Sequence, residues 1–490
     1  MDNINTQDKM DNEQPIIVGL DIGTTKVVAI AGRKNSYGKI DILGLGMADS
    51  AGVDHGVVLN IEECTQSIEN ALNDLKVKNP ELEIHEVYVG IAGGHIKSIQ
   101  AKGERVRLNP DEEITKEDIR ALIEDQRQLF VPGGDQIIDI IPKEYFVDNT
   151  VGRVNPIGMP GVKIGATFHV ITGDKMAIRN IKRCVDKIGL KTKDLVLQPL
   201  ASAAAILTEE DLEAGVAVID IGGGTTDLAV FHDGILKHTA VIPYAGKNIT
   251  EDIRKGLQVL RAQAESMKTR FGTALATEAK EDAYIVIPGL RGMPQKEIAV
   301  QNLAAIIEAR MREILEFAME ELKKINIDHE LFGGIILTGG GSELKNLLQL
   351  TEFVTGLNAR VGYPVEHVSS SHIEELHNPR FSTCIGLILR GYEDYESGKF
   401  EKNRNVIPKE IKEEYAEEES INNSDRFIES VEVEVEKEEI LEEIEFSKEE
   451  EIENKPVDTK NRENTINKIF NSIKRSIMVI FEDIDDDEFK

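Results

Sequence analysis

The sequence predicts an α/β protein of two related lobes, with a smaller domain inserted in the first lobe and an acidic, disordered tail that ends in an amphipathic helix. Three observations carry this. Short β-forming runs alternate with stretches of helical periodicity from Pro15 to Gly398. Two of those runs share one scheme, "VGLDIGTTKVVAI" (18–30) and "AVIDIGGGTTDLAV" (217–230), with Asp21 and Asp220 199 residues apart. Such self-similarity is expected of two related halves facing one another. Beyond Gly398 the composition changes: from Glu401 to Asn464 there are 23 acidic and 10 basic residues, so this stretch carries −13 of the chain's −31.

The whole chain sets limits on function. Its 490 residues suffice for several domains, and an apolar share of 41% suits a globular protein. The acidic balance lacks the basic footprint of a nucleic-acid binder. Cys64, Cys184 and Cys384 are few and widely spaced, as expected of buried thiols in a reducing compartment. The polar, acidic start "MDNINTQDKMDNEQ" is unlike a secretory leader, and no run is apolar enough to span a bilayer.

In order along the chain, residues 1–14 read as a disordered arm. "IIVGLDIGTTKVVAIAG" is two strands joined by a tight polar turn, and "KIDILGLGMA" is a third strand. "NIEECTQSIENALNDL" places Ile61, Ile68, Leu72 and Leu75 on one side of a helix. The stretch 85–171 mixes strands, a charged helix at "TKEDIRALIEDQRQL" and many Pro and Gly turns, and reads as the insertion. "MAIRNIKRCVDKIGL" is an amphipathic helix stopped at Gly189, and the Ala-rich "LVLQPLASAAAIL" is a helix packed on several sides. After the glycine-bearing run come helices within 249–272, a strand "AYIVIP", a long helix over 296–322, and "GGIILTGGGSELKNLLQL", a strand that breaks into glycines and then a helix. The first lobe is thus expected at 15–84 and 172–212, and the second at 213–243 and 303–396 with a subdomain at 244–302. The tail divides into a linker, 397–464, a helix, 465–482, and an acidic end, 483–490.

The glycines forfeit packing inside apolar runs and need a reason. A hairpin tip rich in glycine exposes backbone N–H groups with no Cβ in the way, so a polyphosphate can approach the main chain, while the threonine hydroxyls add donors. Asp21 and Asp220 would be repelled by phosphate, and their chemistry suits Mg²⁺ or its waters. Two such tips, the second read as two glycines longer, would clamp a nucleotide tail, with "ILTGGGSEL" opening a helix beneath an adenosine. The Walker and Rossmann glycine patterns are both absent.

These residues resemble the actin-like ATPase superfamily: "DIGTTK" its first phosphate motif, "DIGGGTTD" its second, "GGIILTGGGSEL" its adenosine motif and "LQPLASAAAIL" its first connecting helix. Within it the order of pieces is similar to the FtsA family of bacterial cell-division proteins, over residues 15–395. The insertion with "YVGIAGGHIKSI" and "GATFHVITG", the segments "AGKNITEDIRKGL" and "AESMKTRFG", and the tail narrow the resemblance. Ala245 stands where that family usually has glycine. The resemblance implies the actin-like two-lobed ATPase fold with an FtsA-type inserted subdomain, and ATP with Mg²⁺ as ligands. By matching position it puts Gly23, Thr24, Thr25 and Lys26 on the terminal phosphates, Gly222, Gly223, Gly224 and Thr225 opposite them, and Asp21 and Asp220 on the metal side. Glu265 and Lys268, three apart on a helix, would reach ribose and adenine, and Gly339, Gly340, Gly341 and Ser342 would border the adenosine. Gln198 stands where related ATPases position a water, the alternative being that it only caps its helix; glutamine is no strong base, so at most slow hydrolysis is implied.

The linker is too polar to fold on its own and, as a coil, would span roughly 45 Å. In "TINKIFNSIKRSIMVIF" the residues Ile466, Ile469, Phe470, Ile473, Ile477, Ile480 and Phe481 fall within an arc of roughly 120°. Lys468 and Arg475 point away and Lys474 lies at the edge, the pattern of a helix lying in a membrane interface. The following "EDIDDDEFK" would be repelled by anionic lipid. The resemblance adds partners: the C-terminal tail of the tubulin-like division protein FtsZ, further copies of the chain in filaments, lipids of the cytoplasmic face of the membrane at the division septum, and other division proteins. Arg254, Lys255, Arg261, Arg270 and Arg291 supply positive charge for an FtsZ surface at 244–302. Rival readings on the same superfamily are a small-molecule kinase, or an Hsp70-, MreB- or pilus-assembly-type member. None of them explains the tail.

Overall fold

The computed structural model describes residues 14–398 apart from 78, 108, 110, 132, 149, 154, 290–293 and 370–372, together with Asn405. The helix at 465–482 and, apart from Ser397, Gly398 and Asn405, the linker before it lie outside the described residues.

Two five-stranded sheets of matching topology organise the chain. In the first, Ile16–Ile22, Lys26–Lys34 and Ile40–Asp49 form an antiparallel meander, and Glu86–Ile91 and Lys191–Leu197 extend it in parallel from Ile16–Ile22. In the second, Val216–Ile221, Thr226–His232 and Ile235–Ile242 form the meander, and Gly334–Thr338 and Ala359–Val361 the parallel extension. Both meanders are joined by turns short enough for antiparallel neighbours, whereas each parallel pairing needs a long crossover. The strand Glu86–Ile91 therefore sits in the first sheet, although its sequence neighbours give it to the insertion; its buried "EVYVGI" is the apolar run of an interior strand.

The insertion is a separate four-stranded antiparallel sheet, Lys97–Val106, Lys163–Asp174, Asp135–Val147 and Thr150–Arg153 in that order, with the helix Lys116–Gln126 on it. Its own core contains Ile114, Leu122, Ile140, Ile164 and Phe168. Two sequence expectations shift locally. "LVL" of the Ala-rich run is the end of the strand Lys191–Leu197, and Pro199, tolerated only in a first turn, marks where the helix Gln198–Ile206 begins. Lys296–Ala299 pairs with Tyr284–Ile287, so the long helix is Val300–Lys324. Its buried Leu303, Ile307, Met311, Ile314, Ala318 and Leu322 follow the helical period.

Between the sheets lie two helices, Gln198–Ile206 and Ser382–Glu396, the second unmarked in the sequence reading. They pack so closely that a Cβ on Gly386 would sit 1.8 Å from the Ala201 carbonyl oxygen. Ala201, Ala203, Ile385 and Ile388 join residues of both sheets in one core. This pair of helices is the floor on which the two hairpins stand.

Candidate functional site

Both hairpin tips have the same length. Ile22 pairs with Val27 and Ile221 with Thr226, so each tip has four residues, Gly23–Lys26 and Gly222–Thr225. Each is closed by the same bond, from Gly23 N to Lys26 O at 3.0 Å and from Gly222 N to Thr225 O at 2.9 Å. The second tip is therefore not longer, and the two Thr-Thr pairs are not equivalent: Thr24 and Thr25 correspond to Gly223 and Gly224. The threonine pair of the second motif stands at the end of the tip and the start of the next strand.

The tips face and touch each other. A Cβ on Gly224 would fall 2.3 Å from Thr24 Oγ1, and one on Gly223 would fall 2.5 Å from Thr25 Cγ2. The glycines of the second tip thus make room for the threonines of the first. Carbonyl and hydroxyl acceptors of the tips are tied to outer elements: Thr25 O accepts from Ser50 N at 3.0 Å and Thr24 Oγ1 from Gly56 N at 3.2 Å. Gly222 O and Gly223 O accept from Gly246 N and Lys247 N, at 3.1 and 2.7 Å, at the start of the helix Gly246–Gly256. The amides of Thr24, Thr25, Gly223, Gly224 and Thr225 donate to no acceptor among the described residues. Donors without acceptors beside a pinned carbonyl row form a nest for anions.

Beneath the tips three carboxylates gather. Asp21 Oδ1 accepts from Gln198 Nε2 at 2.6 Å, and Asp220 Oδ2 accepts from Ser202 Oγ at 2.6 Å and Thr383 Oγ1 at 3.5 Å. Both floor helices thereby fix the acids, and Gln198 reaches Asp21 instead of capping its helix. The third is Asp227, directly across the ladder from Asp220. It is buried, and its Oδ1 has no hydrogen-bond partner among the described residues. Burial, then the Asp220 charge, pushes Asp21 up to about 7. Burial likewise raises Asp220, against the bonds from Ser202 and Thr383, and raises Asp227 well above the usual carboxylate range, helped by the charges of Asp220 and Asp21. Three acids held near one another, two of them buried and Asp21 half-buried, are relieved by a cation. No three acidic, His or Cys side chains among the described residues converge to ligate an ion unaided, so a cation here would need further oxygen ligands from outside the chain.

The other predicted positions lie around this centre. Gly339, with φ 78°, packs its Cα on Asp220: a Cβ there would be 2.1 Å from Asp220 Oδ1. Gly340 faces open space, and Ser342 Oγ donates to Gly339 O at 2.7 Å. The glycines open a 3₁₀ turn, Gly340–Glu343, and the α-helix begins only at Leu347. Lys268 Nζ donates to Glu265 Oε2 at 2.9 Å, to Thr250 Oγ1 at 2.9 Å and to Gly246 O at 3.0 Å, which puts the Glu265–Lys268 pair beside the second tip. Lys26 is exposed at the rim. Ala245 is fully buried with extended backbone, φ −164°, which any residue adopts, so nothing there requires glycine. Of the basic residues at 244–302, Arg254 pairs with Glu251 at 2.8 Å and Arg261 with the same carboxylate group at 3.5 Å, while Arg291 lies outside the described residues. Asp227, Ser202 and Thr383 were missed by sequence reasoning. Asp227 closes the quoted "DIGGGTTD", and its alternation with buried Leu228 hid it in a strand; Ser202 and Thr383 carry no local signal.

Comparison with known proteins places this geometry. A family model described as "Cell division protein FtsA" matches residues 217–386, and one described as "SHS2 domain inserted in FTSA" matches residues 93–172. The chain is 39% identical over 380 residues to the cell division protein FtsA of Neisseria meningitidis serogroup B, covering 77% of this chain and 91% of that protein. It is 36% identical over 383 residues to that of Pseudomonas aeruginosa, covering 78% and 91%. Among solved structures, the PilM-PilN type IV pilus biogenesis complex aligns with a TM-score of 0.56 at 18% identity, over 76% of this chain and 98% of that one, a likeness of fold. The two-lobed architecture is that of the actin-like ATPases with the FtsA-type insertion.

Proposed function

The chain belongs to the FtsA family of cell division proteins, and from that premise we propose that it is an ATP-binding, self-associating tether that holds FtsZ at the cytoplasmic face of the membrane. The observation that carries the nucleotide part is the pair of equal tips, with amides that donate to no acceptor among the described residues, over half-buried Asp21 and buried Asp220 and Asp227. In this reading the amides of Gly23–Lys26 and Gly222–Thr225 hold the phosphates of ATP from two sides. Asp21 and Asp220 orient the waters of Mg²⁺, with Asp227 behind them. When bound, the metal neutralises phosphate charge. Glu265 and Lys268 border the ribose and adenine, and Gly339–Ser342 the adenosine. Gln198, bonded to Asp21, positions a water for slow turnover at most. Closure of the lobes on ATP favours assembly of further copies.

The membrane and FtsZ parts rest on the sequence. The arc of Ile466, Ile469, Phe470, Ile473, Ile477, Ile480 and Phe481, with Lys468, Lys474 and Arg475, makes a surface-lying anchor at the septal membrane. No helix among the described residues is long and apolar enough to cross a bilayer. The segment 244–302 receives the FtsZ C-terminal tail, and the same assembly recruits other division proteins. The test is co-sedimentation with vesicles of anionic and neutral lipid. The full chain should carry FtsZ into the vesicle pellet, more so with Mg²⁺ and ATP, and a chain ending at residue 464 should leave both in the supernatant. Absence of FtsZ from the pellet with the full chain bound overturns the tether.

A further inference from the structure

Residues 53–58 form a minimal ribbon, Val53–Asp54 against Val57–Val58, turned by His55 and Gly56, which both have positive φ (46° and 75°). Two consecutive residues of that kind make the tightest hairpin turn, one whose shape is stiff. Its Gly56 is seated against the first lobe, since a Cβ there would be 2.6 Å from the Ala92 carbonyl oxygen. Its amide also donates to Thr24 Oγ1 of the first tip. The ribbon is thus rigidly continuous with one jaw of the clamp.

From the tip of this ribbon Asp54 Oδ1 accepts a hydrogen bond from Lys247 Nζ of the second lobe at 3.3 Å, and Val53 O lies 3.5 Å from the same nitrogen. The other oxygen of Asp54 is 3.0 Å from His55 Nδ1. Lys247 is in turn one bond from the second tip, through its own amide to Gly223 O at 2.7 Å. The ion pair therefore joins two short chains of bonds, each ending on a phosphate tip. It bridges a groove of about 630 Å³ between the lobes, lined by Asn60, Glu63, Asn248, Glu251 and Arg261 as well as the pair itself. Glu251 and Arg261 are engaged with each other, leaving Asp54 as the acid that meets Lys247.

We propose that Asp54 and Lys247 are positioning residues, an interlobe latch that holds the two phosphate tips in apposition and slows nucleotide release. The inference rests on the ATP reading above. For the latch to act, opening of the lobes must break the pair, and both partners are partly exposed, so the pair exchanges with water without a large barrier. Its effect is accordingly on release rate rather than on the capacity to bind.

The experiment is displacement of a fluorescent ATP analogue by excess ATP, with Mg²⁺, in stopped flow. Asp54→Asn and Lys247→Gln should each speed release about two- to fivefold, the range of an exposed ion pair. The exchanged variant, Asp54→Lys with Lys247→Asp, should return to within about twofold of the starting chain. Raising salt should speed release from the starting chain and leave Asp54→Asn unchanged. Unchanged release in both single variants, or an exchanged variant as fast as the singles, overturns the latch. If the starting chain binds no nucleotide, the ATP reading fails by itself. The latch is then decided by the distance between spin labels at Glu63→Cys and Lys255→Cys, which Asp54→Asn should broaden. A distance unmoved by that change overturns it.

Discussion

The two hairpin tips are equal in length, closure and place in their sheets, yet they are filled in opposite ways. The first brings side chains, with Thr24 buried and bonded to Gly56. The second brings none at Gly223 and Gly224, because the threonines of the first occupy that space. Their strands differ too: opposite Asp21 stands Val28, opposite Asp220 stands Asp227. A duplicated frame has thus become one site with complementary halves. A tip's composition is set as much by its partner tip as by a ligand.

The sharpest way to break this comparison is at the third glycine-rich turn. Gly339→Ala forces a side chain into a positive-φ position against Asp220 and the Ile221 carbonyl, and should destabilise the chain by about 3 kcal/mol in urea unfolding. Next in size is the contact between the tips. Gly224→Ala should lose about 2 kcal/mol, and adding Thr24→Gly should recover most of that loss, a coupling read from the double-mutant cycle. Additive losses would mean that the tips do not constrain each other.

The acids make the third test. The Asp21 carboxyl keeps its proton to about pH 7 when folded and releases it near pH 4 when unfolded, so the folded chain binds more protons between those values and stability falls as pH rises through that window. Asp21→Asn should match the starting chain at pH 4 and exceed it by about 4 kcal/mol at pH 8 without nucleotide, measured by urea unfolding at each pH. Smallest of all is Gly340→Ala, where a Cβ meets open space; a change within about 0.5 kcal/mol is expected.

Much of this arrangement was legible in the sequence. The alternating runs gave away all three strands of the first meander and the two that flank the glycines in the second, but not Ile235–Ile242, and the repeated Asp-Ile-Gly marked the two hairpins. What misled was letter matching: aligning Thr24-Thr25 with Thr225-Thr226 made the second tip look longer, whereas tip length is set by cross-strand register, which no local pattern displays. Glu86–Ile91 was misassigned for a similar reason, since a parallel partner is chosen by distant contacts. The groups that hold the acids, Ser202 and Thr383, come from helices brought together only by the fold. Asp227 was written in the motif but looked like the alternate residue of a strand.

Whether the paired tips and their acids form a nucleotide clamp is decided by calorimetric titration of the full chain with ATP in the presence of Mg²⁺. Saturable one-to-one binding that weakens when Mg²⁺ is removed and is lost in Asp220→Ala is the predicted result. No heat of binding, or binding indifferent to Asp220→Ala, would mean that the tips and acids do not hold a nucleotide.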